Sequence, residues 1–91
     1  MFQISPTVTA GTITTGGTSQ VADAAKSRSY VFIQNTSDTA MYLNFGAVAT
    51  AGHILLAANG GSWTNHETSC PVNSINILCA TTGKTYAMIA K

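Results

Sequence analysis

A chain of 91 residues forms one domain, since dividing it would leave two pieces that each bury too little apolar surface to fold. Its four Lys and Arg and three Asp and Glu make up 8% of the residues, against about 25% in an ordinary soluble domain. That excludes the stripe of cations by which proteins neutralise nucleic-acid phosphates, and a net charge of +1 leaves little repulsion between copies, so the composition favours assembly.

Met1-Phe2-Gln3-Ile4-Ser5-Pro6 has neither the charged lead nor the apolar run of a signal peptide, and no stretch approaches the ~20 apolar residues of a membrane helix. Synthesis in a cytosol, with no membrane partner, is the expectation. Residues 1–12 read as an extended arm and residues 13–91 as a single β body. In the arm Phe2, Ile4 and Val8 fall at even spacing and share one face, which needs a partner surface, while Pro6 and Gly11 oppose a well-packed central strand. Gln20–Lys26 predicts about one helical turn.

From Arg28 the pattern becomes Tyr30-Val31-Phe32-Ile33, apolar on both faces, which predicts a central strand. The polar cluster 35–38 turns the chain into Met41-Tyr42-Leu43-Asn44-Phe45, ended by Gly46. Asn59-Gly60 supplies the positive φ angles of a tight turn, so residues 53–58 and 61–65 are expected to pair as a hairpin. Ile75, Ile77 and Cys79, then Tyr86, Met88 and Ala90, alternate on either side of Thr82-Gly83 and predict a second hairpin. About six to seven short strands with Gly and Asn turns describe an all-β fold, either a small β-sandwich or a Greek-key or jelly-roll-like barrel.

Chemistry is sparsely provided for. Gly83-Lys84-Thr85 resembles the end of a phosphate-binding loop, but Leu78 stands where its first glycine belongs and no helix follows. His53, His66, Cys70 and Cys79 occur singly, without the paired spacing of metal ligands, and in a cytoplasm the two cysteines are expected as free thiols. Asp23, Asp38 and Glu67 lie in predicted loops with no second carboxylate beside them. No enzyme activity, cofactor or metal is expected. Trp63, next to Gly60 and Gly61, reads as core, as interface, or as a stacking platform for a sugar if Tyr42 and Tyr86 share its surface.

The runs Arg28-Ser29-Tyr30-Val31-Phe32-Ile33-Gln34-Asn35-Thr36-Ser37-Asp38, Tyr42-Leu43-Asn44-Phe45-Gly46, Gly60-Gly61-Ser62-Trp63 and Asn73-Ser74-Ile75-Asn76-Ile77-Leu78-Cys79-Ala80 resemble small structural proteins of tailed bacteriophages. The resemblance implies a virion protein, most often a decoration or cement protein on the capsid exterior. It implies a homotrimer with the major capsid protein as partner. Within that role Arg28 opens the core strand, and the amides of Gln34 and Asn35 close it on turn backbone. Phe2, Ile4, Val8 and Trp63 are the candidate interface residues. A head-fibre or tail component, or a carbohydrate-binding surface module of the virion, are the alternatives.

Overall fold

A computed structural model describes residues 7–65 and 70–91, and these build eight strands and no helix. In chain order they are β1 (Thr9–Thr12), β2 (Gln20–Asp23), β3 (Val31–Asn35), β4 (Met41–Phe45), β5 (Ile54–Leu56), β6 (Ser62–Thr64), β7 (Ile75–Cys79) and β8 (Thr85–Ala90). Two four-stranded sheets result, ordered β1-β8-β3-β6 and β2-β7-β4-β5, with every pairing antiparallel.

Period-two alternation explains how the sheets meet. Val31, Ile33, Tyr86 and Met88 turn inward from the first sheet, and Met41, Leu43, Leu56, Ile75, Ile77 and Cys79 turn inward from the second, with Ile13 added from the β1–β2 connection. Each fully buried aliphatic side chain of this core contributes roughly 1.5–3 kcal/mol against exposure.

Four expectations change. The helical turn over residues 20–26 is instead strand β2 at Gln20–Asp23, because pairing with β7 satisfies backbone groups that one isolated turn would leave to water. The extended arm is shorter than residues 1–12, since Thr9–Thr12 pair with β8 of the same chain. Neither predicted hairpin forms: β5 pairs with β4 while β6 pairs with β3, and β7 and β8 also lie in opposite sheets. Splitting the N-terminal region into β1 and β2 brings the strand number to eight.

Backbone bonds show why the turns become crossings between layers. Asn59 and Gly60 do take positive φ, 61° and 114°. Their amides, however, reach Ser37 O (2.7 Å) and Asn35 O (2.8 Å) at the end of β3, and Asn35 N donates to Gly61 O (2.8 Å). The second crossing is held by the β1–β2 connection, with Gly83 N on Ile13 O and Gly17 N on Cys79 O. Gly61 is needed for close approach, since a Cβ there would stand 2.3 Å from Ala57 N. Gly61→Ala is therefore expected to cost about 1–3 kcal/mol by overpacking; an unchanged thermal melt would contradict the approach.

Candidate interaction surface

Asp23 is the only charged residue within the eight strands. At one end of the sandwich its carboxylate accepts from Arg28 Nε (2.9 Å), with Lys26 Nζ at 3.6 Å. Arg28 has a fully buried side chain whose remaining nitrogens donate to the carbonyls of Pro71 and Asn73 (both 2.8 Å) and Ala24 (2.6 Å). At the opposite end Lys84 Nζ meets Asp38 Oδ1 at 2.7 Å. Hydrogen bonds from Lys84 and then Thr39 hold the Asp38 carboxyl below its ordinary value of 3.8. Whatever stability that exposed contact adds is present at neutral pH and lost on acidification.

Among the described residues the flat sides between those ends are uncharged and largely apolar. On the outer face of the first sheet Ile89, Phe32 and Thr64 form one cross-strand row, and Ala10, Ala87, Gln34 and Ser62 form the next. Val8, 65% exposed, precedes β1 on the side of Ala10 and so extends the first row. On the second sheet Leu78, Tyr42 and Leu55 are aligned, Leu55 being 56% exposed. The 46–53 connection folds back over part of that face, tied by Asn44 Nδ2 to Val48 O (3.0 Å) and by Ala49 N to Ser19 Oγ (2.9 Å).

Of the sequence-predicted interface residues, Val8 is exposed on the first sheet's outer side, while Phe2 and Ile4 lie outside the described residues. Trp63 is half-buried on the inner side of β6, its ring 4.9 Å from that of Phe45 on the opposite sheet and tilted by 50°. It closes the side of the core. Tyr42 faces outward and Tyr86 is buried inside, where burial pushes its phenol above the ordinary value, so the structure does not bring these three aromatics to one surface.

The other singled-out residues serve the fold. Gly83 takes positive φ (86°), Lys84 is paired with Asp38, and Thr85 Oγ1 lies 3.0 Å from Thr36 Oγ1, which makes Gly83-Lys84-Thr85 a crosslinked turn. His53 accepts Thr50 N at Nδ1 (2.9 Å), Cys79 is a buried free thiol, and Cys70 is a half-buried free thiol beside the core. His66 and Glu67 lie outside the described residues. Among the described residues no three His, Cys, Asp or Glu side chains cluster as a metal site, and no helix is long and apolar enough to cross a membrane.

Tyr42, Leu55, Leu78 and Ile89, which lie on the outer faces, are not among the interface residues expected from the sequence. Their signal was present: Ile54-Leu55-Leu56 and Ile77-Leu78-Cys79 are apolar at both parities, although a two-layer sandwich buries only one. No protein-family model, curated protein or solved structure gives a significant match to this chain.

Proposed function

We propose that this chain is a decoration or cement protein of a tailed-bacteriophage head, a virion structural protein that binds on the shell exterior across neighbouring subunits of the major capsid protein. The observation that carries this reading is that, among the described residues, charge is confined to the two ends of a sandwich whose broad outer faces are uncharged and largely apolar. Contiguous apolar surface of that kind marks protein–protein contact, and a small domain with little net charge gains from covering it. The strand orders β1-β8-β3-β6 and β2-β7-β4-β5 support a jelly-roll form, because two Greek keys wound together give that sequence of neighbours. A shell-bound copy stabilises the assembled state by mass action, and many copies multiply the effect.

Purified protein added to decoration-free heads is expected to bind in hundreds of copies and to raise the temperature of shell disruption. Because the proposed contact is apolar, occupancy should change less than about threefold between low and high salt. Leu55→Asp should lower it at least about tenfold, since a carboxylate would be carried into an apolar interface. A few copies per particle would favour the head-fibre or tail reading, and steep loss of binding in salt would sink the apolar contact.

A further inference from the structure

The two sheets part between their edge strands β1 and β2, leaving a cleft of about 540 Å³. Met88 and Ala90 of β8 and Ala22 of β2 supply its apolar lining, while Asp23, Lys26 and Lys91 also border it. Its volume falls within the roughly 300–1,000 Å³ of sites that take a ligand or an anchoring group.

One wall is an unguarded strand edge. Ile13 exchanges both of its backbone hydrogen bonds with the 83–84 turn, so by alternation Thr9 and Gly11 turn their peptide groups toward β8, while Val8, Ala10 and Thr12 turn theirs away. At Thr12 the side-chain amide of Gln20 stands in for a missing strand: its Nε2 donates to Thr12 O (3.0 Å) and its Oε1 accepts Thr14 N (2.9 Å). Beside Val8 and Ala10 no described strand does so. β1 also has none of the Lys, Pro or bulge that natural edges use against pairing, whereas the facing edge β2 is broken by a register shift between Val21 and Asp23.

We propose that this cleft receives residues 2–5 of a second copy, added as a strand along β1 with Phe2 and Ile4 turned onto Ala22, Met88 and Ala90. The inference rests on the reading of this chain as an assembling virion protein. The segment Phe2-Gln3-Ile4-Ser5 matches the site in its chemistry: two large apolar groups at alternate positions, two uncharged polar groups between them for the rim, and no charged side chain to desolvate. A chain's own segment would have to reverse at Ser5-Pro6-Thr7, which contains no Gly, Asn or Asp for the positive-φ turn of a tight hairpin. Passed from each copy to the next, the exchange is heterologous, and the trimer is the ring it makes when the rotation between copies closes after three.

Native mass spectrometry of the full chain, a variant lacking residues 2–5, and the cleft-filling Ala22→Trp variant tests the exchange. The full chain is expected as a trimer and each variant alone as a monomer. Mixing the two variants should restore a one-to-one dimer, because one retains the segment and the other the open cleft. A synthetic peptide of residues 1–7 should bind the deletion variant at least tenfold more tightly than the same peptide carrying Phe2→Ser and Ile4→Ser, a measurement that does not depend on Ala22→Trp folding. A monomeric full chain, a variant that stays trimeric alone, or equal binding of the two peptides overturns the proposal. Head occupancy is scored separately: a trimer that survives the deletion removes the exchange and leaves the cement reading standing. Exchange without any occupancy does the reverse.

Discussion

Arg28→Met is expected to destabilise the protein by about 3–5 kcal/mol, because it leaves the carbonyls of Ala24, Pro71 and Asn73 without their donor and takes from the half-buried Asp23 carboxylate its nearest cation. The side chain is fully buried and makes four directed bonds, one to the Asp23 carboxylate and three to the carbonyls of Ala24, Pro71 and Asn73. Among the described residues no other single side chain ties the β2–β3 connection to the 71–73 segment in this way, and methionine fills much of the volume while donating nothing. For a domain of this size each kcal/mol shifts the midpoint by about 4–8 °C, so thermal unfolding should move down by more than about 12 °C. Arg28→Lys should fall between, since an ammonium keeps the charge but cannot match the planar fork of donors. A loss below about 1 kcal/mol for Arg28→Met in urea or thermal unfolding would show that the clamp is dispensable.

Asn35→Asp should cost at least about 3 kcal/mol at neutral pH and much less in acid. Asn35 is fully buried, and its amide is used to capacity. Nδ2 donates to Thr39 O (2.8 Å) and Leu56 O (3.0 Å), while Oδ1 accepts Ser37 N (2.9 Å) and Ser37 Oγ (2.7 Å). An introduced carboxylate would aim an oxygen at two carbonyls and be charged in a dry site, so its folded pKa would rise above the unfolded value of about 3.9. The sign follows from linkage: the unfolded chain releases the proton first, so stability falls as pH rises above about 4 and levels off above the folded pKa. The slope approaches 1.36 kcal/mol per pH unit between those two values. Denaturation of the variant at pH 3.5 and pH 7 checks this against the parent chain measured under the same conditions. Parallel pH dependence of the two would refute it.

Much of the core was legible in the residues themselves. Met41 and Leu43, Ile75 and Ile77, and Tyr86 and Met88 alternate with their neighbours, and alternation alone assigns each pair to one face, whereas Tyr30-Val31-Phe32-Ile33 is apolar at both parities and left Val31 and Ile33 undecided. Asn35 closing β3 on turn backbone was legible too, because a short amide bonds locally, here accepting Ser37 N and donating to Thr39 O; Gln34 Nε2 also reaches turn backbone, but at Gly60 O (3.2 Å), across the fold. Of the surface, only the arm and Trp63 were read, and Trp63 turns to the inner side of β6. Tyr42, Leu55 and Leu78 alternate with core residues, and a sequence does not state which parity faces the second sheet until that sheet is present.

The sequence by itself determined that the chain is all-β, where its strands of residues 31–35, 41–45 and 75–79 lie, and that Asn59 and Gly60 turn with positive φ. These depend on neighbours within a few positions: side-chain parity, branched and aromatic preference, and the steric freedom of Gly and Asn. Only the tertiary structure decided that β5 and β6, and β7 and β8, belong to opposite sheets, since a hairpin and a crossing between layers share the same turn residues and the same alternation. What separates them is the partner of the turn's own amides. Asn59 and Gly60 donate to Ser37 and Asn35, more than twenty positions away, and that long-range pairing also decides which residues line the β1–β2 cleft.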